Sequence, residues 1–154
     1  VLAFPFERPG SPLGDQLLGT DTPKAIGDTW SLDRRFVTED LVDEGFETNE
    51  TDVRGNVVLS DVVDCAGARC LVITANLEAT QAVLVEYADA ASFETGELSG
   101  TVIVHAPTDP DLFLHREEAR FTGNFVADFE GEEGTARRAI TVSRQRIATY
   151  MPAE

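Results

Sequence analysis

From Leu112 to Glu130 the chain reads as one extended ribbon of nineteen residues. Its second half, "RFTGNFVADFEG" (residues 120–131), places Phe121, Gly123, Phe125, Ala127 and Phe129 on every second position. A two-residue period with one apolar side is the pattern of a β-strand with one buried face. Nineteen extended residues span about 60 Å, but a compact chain of 154 residues is only about 40 Å across. The ribbon therefore has to coil or bend, with Gly123 and the Glu117–Glu118 step as the expected places. Small residues between aromatic rings let a sheet curl toward its ring-bearing side without collision.

The returning segment fixes a register. If "GEEG" (131–134) closes the hairpin, Glu130 faces Thr135, Phe129 faces Ala136, Phe125 faces Ile140 and Gly123 faces Val142. On the reverse side Asp128 meets Arg137. Apolar groups meet apolar groups and opposite charges meet, which a one-residue slip would undo. Farther along the Phe side come Phe121 with Arg144, Ala119 with Arg146, Glu117 with Ala148, and His115 with Tyr150. The expectation is an inner wall that is apolar at one end (Phe121, Phe125, Phe129) and polar at the other (His115, Glu117, Arg144, Arg146, Tyr150). Such a trough suits an amphipathic, lipid-like molecule whose head meets the arginines. The competing reading is that the Phe rows pack as ordinary core.

Elsewhere the signals are coarser. Prolines at 5, 9, 12 and 23 exclude a long helix or central strand near the start. Residues 1–29 are expected to form an extended Pro/Gly-rich arm anchored by Leu2, Phe4 and Phe6, and residues 30–154 a single antiparallel β domain. "GDTWSLDRRF" should open a strand with Trp30, Leu32 and Phe36 on one side. "TEDLVDEG" offers one or two helical turns, with Thr38 as N-cap and Gly45 at the end. Residues 77–91 fit helix and strand equally well. Hairpin-length links dominate and no βαβ spacing recurs. The fold class is therefore mainly β: a single curled antiparallel sheet or half-barrel with one or two short helices.

The two cysteines lie in "DCAGARC" between Val-rich arms. A hairpin whose last cross-strand pair is Cys65–Cys70 would bring them near disulfide geometry. That favours a bridge and a location outside the cytoplasm: periplasmic, tethered to the outer membrane or secreted. A metal site there would need His105 and His115 as further ligands, and the bridge is preferred.

Charge narrows the partners. Twenty-eight acidic side chains against twelve basic ones give a net charge of −16, so nucleic acid and anionic headgroups are poor partners. No apolar run approaches the roughly 20 residues of a membrane-spanning helix. The chain begins at Val1 without a signal-like segment, so a mature form is expected, with any leader or lipid anchor upstream. The carboxylates from Glu39 to Asp52 match no calcium loop. No nucleophile elbow, phosphate loop or zinc-protease motif occurs, and no cofactor is expected. His105, Asp109, Asp111, His115, Glu117 and Glu118 surround one hairpin, which leaves a metal-dependent hydrolase at the His105–Glu117 hairpin as an alternative.

"PKAIGDTWSLD", the "VVLSDVVD…LVITANLE" hairpin and the terminal "RQRIATY" resemble secreted bacterial domains, often lipoproteins, of unknown function. In these a Gly-Asp-x-Trp strand starts a curled antiparallel sheet. The architecture is similar to that of periplasmic lipoprotein carriers. The resemblance implies an apolar cavity; together with the residue pattern, the expectation is a non-enzymatic domain with a lipid-like small molecule or envelope protein as partner.

Overall fold

A computed structural model describes residues 2–4, 18–87, 92–109, 111, 112 and 114–150. The elements run β1 (Leu2–Phe4), β2 (Thr20–Lys24), β3 (Thr29–Ser31), α1 (Arg34–Asp43), β4 (Phe46–Glu47), β5 (Val53–Cys65), β6 (Ala68–Leu84), β7 (Ser92–Pro107), β8 (Arg116–Gly131) and β9 (Gly134–Thr149). Single 3₁₀ turns occupy Glu50–Asp52 and Val85–Tyr87. Strands β3, β5, β6, β7, β8 and β9 lie side by side in that order, and β4 joins the same sheet by pairing with β6. Every pairing in it is antiparallel, the sheet does not close, and β1–β2 form a separate small ribbon.

Long strands are possible because alternation holds along each of them. Leu71, Ile73, Ala75 and Leu77 of β6 and Ala119, Phe121 and Phe125 of β8 are all buried on the inner face. The sheet bends where β6 and β7 carry bulges at the same level, between Ala79 and Ala82 and between Glu94 and Glu97. Gln81 takes a left-handed φ of 57° there, and its side chain accepts a 2.8 Å hydrogen bond from Thr95. Neighbouring bulges turn two strands together. Past the bend, β6 reaches β4, with Phe46 opposite Leu84.

Helix α1 begins where Asp33 caps it, its carboxylate accepting from the Arg35 N–H at 3.1 Å. It ends at Gly45, whose φ of 89° is left-handed and stops the helix at little steric cost. Val37 and Leu41, one turn apart, are its buried residues. The helix crosses the inner face from the β5 side, where Leu32 lies against Gly55, to β9, where Glu44 pairs with Arg146 at 3.0 Å.

Several expectations change. The strand expected over 27–36 covers only Thr29–Ser31, because the Asp33 cap starts a helix that takes in Phe36 and places Thr38 inside it. The β8 ribbon starts at Arg116, and its register with β9 runs unbroken to Gly131, so no break occurs at Glu117–Glu118. Residues 77–84 are strand, and 88–91 lie outside the described residues. Of the arm, Phe6 lies outside them too, while residues 2–4 pair with β2.

The cysteine hairpin also closes differently. Ala66 and Gly67 take φ values of 54° and 89°, the two left-handed positions of a type I′ turn. The loop is thus two residues, not four, and Cys65 faces Ala68 while Cys70 faces Val63. The thiols lie diagonally on one face, both buried, and are not joined as a disulfide.

Candidate functional site

The register proposed for the Phe ribbon is found from Arg116↔Thr149 to Gly131↔Gly134. Its rings turn inward: Phe121 and Phe125 are each 2 % exposed. What faces them is the chain itself. Phe46 stacks on Phe125 with centroids 6.1 Å apart and tilts against Phe121 at 6.4 Å. Phe93 closes on Phe125 at 5.8 Å. A side chain at Gly123 would run into the Phe125 ring, so the small residue makes room for the neighbouring large one. Half-buried Phe129 takes Tyr87 edge-on at 5.9 Å and the Arg138 guanidinium at 5.2 Å. Between α1 and the sheet, a void of only about 20 Å³ remains beside Leu18, Leu32, Val37, Asp40, Leu41, Ala75, Leu77 and Val102. That is no more than one water.

The polar end is equally occupied. Arg146 reaches Glu117 at 2.8 Å and Glu44 of the helix at 3.0 Å. Arg144 meets Glu86 at 3.5 Å. Burial opposes the charge of Arg146, but Glu117, Glu44 and Asp40 outweigh it and hold the guanidinium above its ordinary range. For Asp40, burial is the largest influence. With help from Glu117, Glu44 and Asp43 it overcomes Arg146 and pushes the carboxyl up to about 6. Tyr150 is raised as well, by burial first and then by Glu117. The acids Asp40 and Glu44 lie within the helical turns expected from "TEDLVDEG", but no signal in the sequence places those turns against Arg146 of β9. Glu117, Arg146 and Tyr150 come together as expected, and Arg144 stands apart with Glu86. His115 lies opposite Tyr150 as expected, accepting the Tyr150 N–H on its carbonyl at 3.1 Å, and the two residues line a separate cavity.

The outer face of the same sheet carries a ladder of polar side chains. One rung runs Asn56, Asn76, Thr101, Arg120 and Gln145 across five strands. The next runs Arg54, Glu78, Ser99, Thr122 and Ser143. Thr101 donates to Asn76 at 3.2 Å, and Arg120 pairs with Glu118. The bent sheet forms a groove here of about 490 Å³, floored by Gly55 and Gly100. A second hollow of about 240 Å³ adjoins it and shares Glu78, Ser99 and Thr122. This ladder was legible in principle, since its members are the alternate residues to the buried ones.

The acid–histidine hairpin brings its two histidines together, the His115 N–H donating to the His105 carbonyl at 2.9 Å, but divides its other members between the faces of the sheet. His105 faces Arg116 on the outer side, whereas Glu117, the next residue, points inward to Arg146. Adjacent strand residues face opposite ways, so His105 and Glu117, at the two ends of that hairpin, lie on opposite faces of the sheet. Among the described residues no group of three Cys, His, Asp or Glu side chains is arranged around a common metal position. No described helix is long and apolar enough to cross a membrane.

No protein-family model, curated protein or solved structure matches the chain. The resemblance to secreted bacterial domains therefore rests on the sequence motifs alone.

Proposed function

We propose that this protein is a non-catalytic binding module whose hydrophobic sheet face is satisfied internally and whose recognition surface is the polar groove on the opposite face. The observation that carries this reading is the occupation of the inner face. Phe46 and Phe93 cover Phe121 and Phe125, and the void between α1 and the neighbouring strands is only about 20 Å³. An amphipathic molecule bound on that side would first have to expel the helix, Phe46 and the ion pairs of Arg146.

The outer groove is of ligand size. Its walls are Asn56, Asn76, Ser99, Thr101 and Thr122 between Arg54 and Arg120. Amide and hydroxyl groups set about 4.8 Å apart across strands match a ligand rich in hydroxyls, of the saccharide class. No aromatic ring lines the groove among the described residues, so affinity must come from directional hydrogen bonds and be modest. The location outside the cytoplasm was inferred from a Cys65–Cys70 bridge, and it has no further support from the thiols.

Saturation-transfer NMR against a panel of neutral and acidic oligosaccharides tests the proposal, with Asn76→Ala and Thr101→Val as controls. Signal with the wild type that falls in both variants is expected. Silence across the panel, or binding of a fluorescent fatty acid that displaces Phe46, would overturn it.

A further inference from the structure

The two edges of the open sheet differ. One is short and guarded. β3 covers Asn56–Val58 of β5, and the Leu59 N–H donates to Asp28 while its carbonyl accepts from Gly27. Beyond the bulge, the Asp61 carboxylate takes the Val62 N–H at 2.7 Å. The other edge is β9, sixteen residues long. Its pairing with β8 has no bulge, and it contains no proline. The Tyr150 N–H donates to the His115 carbonyl, so the even-numbered residues of β9 bond to β8. In an antiparallel pair the alternate residues point their N–H and C=O groups away. The odd-numbered residues from Thr135 to Thr149 therefore have no backbone partner among the described residues. Rows of this length are templates for a further strand unless proline, a bulge or unbalanced charge blunts them.

We propose that β9 pairs antiparallel with β9 of a second copy of this chain, joining the two sheets through a two-fold axis at Ser143. Charge selects the occupant. The strand has four arginines and no acid, but Arg137 is held by Glu94 and Asp128, Arg144 by Glu86, and Arg146 by Glu44 and Glu117. A strand neutralised by its own chain draws an acidic peptide weakly and repels its own copy weakly. Charge also selects the register. With the axis at Ser143, Ile147 faces Ala139 and Arg137 faces Thr149 on the outer side. On the inner side Arg144 faces Val142, Arg146 faces Ile140 and Arg138 faces Ala148. Moving the axis one residue either way sets Arg138 against Arg146, or Arg144 against itself.

Two side chains gain partners in this arrangement. Ile147 is 52 % exposed in the single chain and would pack against Ala139. Arg138 lies over the Phe129 ring and has no carboxylate partner among the described residues. Across the new pairing it stands two strand spacings, about 10 Å, from Glu117, with only Ala148 between them. Their extended side chains can close that gap over the small alanine. The contact is isologous and uses the one long open edge of each copy, so assembly stops at the dimer instead of growing into a fibre. A two-fold axis normal to the sheet keeps both polar outer faces on the same side.

Sedimentation equilibrium of the full chain, with amide hydrogen exchange at low and high protein concentration, tests the pairing. A dimer is expected, with the odd-numbered amides from Arg137 to Thr149 gaining protection as it forms. Thr141→Pro removes an N–H that points away from β8. It should raise the dimer dissociation constant at least about tenfold and leave the circular dichroism unchanged. Should that variant fail to fold, Ser143→Cys decides. On the axis its thiol should form a disulfide with its own copy under mild oxidation, whereas Glu132→Cys in the β8–β9 turn should not. A chain that stays monomeric, a dimer of unchanged affinity in folded Thr141→Pro, or Ser143→Cys cross-linking no better than Glu132→Cys would overturn it. So would protection of these amides that does not depend on concentration, or that arises only when an acidic peptide is added.

Discussion

Two hairpins of the sheet are built from different material. In β8–β9 the inner side alternates rings with Gly and Ala, and the outer side sets Asp128 against Arg137 at 3.7 Å. The pairing runs from Arg116↔Thr149 to Gly131↔Gly134 without a shift. In β5–β6 both sides carry Val and Leu. The pairing there holds from Cys65↔Ala68 to Asp61↔Val72, slips by one residue at a bulge, and resumes at Leu59↔Ile73. A slip of one residue exchanges the faces of a strand, but a slip of two restores them. Where side chains are distinctive, only one alignment is favourable and the strands set their own register. Where they are uniform, the turn decides.

The largest test of this contrast is Phe125→Ala. Removing a ring packed between Phe46 and Phe93 should cost about 3–5 kcal/mol, read by urea unfolding. A loss below about 1 kcal/mol would mean that the β8–β9 face is not packed as described.

Next comes pH, which probes the seat of α1 on that face. The folded protein holds the Asp40 proton up to about pH 6, whereas its ordinary value is 3.8. A raised carboxyl stabilises the fold in full below the unfolded value, and that contribution is lost as pH rises through the folded one. Between about pH 4 and 6, stability should therefore fall by about 1–3 kcal/mol, the lower figure reflecting the water that half-buried Asp40 retains. Asp40→Asn should flatten this slope. A slope unchanged by the substitution would place its origin elsewhere.

The smallest effect concerns the turns themselves. Ala66 sits at a φ of 54°, costly for a residue with a Cβ. Ala66→Gly should stabilise the protein by about 0.5–1 kcal/mol. Glu132→Gly, in the β8–β9 turn where Gly134 alone has a positive φ, should not. If both changes are neutral or destabilising, the type I′ turn at 66–67 is wrong and the wider four-residue loop returns.

How much of this was legible follows the same contrast. The β8–β9 register, the inward Phe rings and the mainly β class could be read because alternation and pair chemistry are local. The Cys65–Cys70 alignment misled because alternation cannot distinguish registers two residues apart, and no residue announces the bulge after Leu59. The occupant of the trough was hidden for another reason. Phe46 is brought to the ribbon by contacts distant in sequence, and the ten-residue helix before it owes its existence mostly to such packing. The register that aligns Glu117, Arg144 and Arg146 on the sheet could be read, but Glu44, from the end of that helix, answers Arg146, and Glu86 answers Arg144.

The central claim is that the aromatic face is filled by the chain's own residues. Ring-to-ring nuclear Overhauser contacts in ligand-free protein test it directly. Cross-peaks from Phe46 to both Phe121 and Phe125 are predicted. Their absence, with the Phe121 and Phe125 rings in contact instead with water or a co-purified lipid, would contradict it.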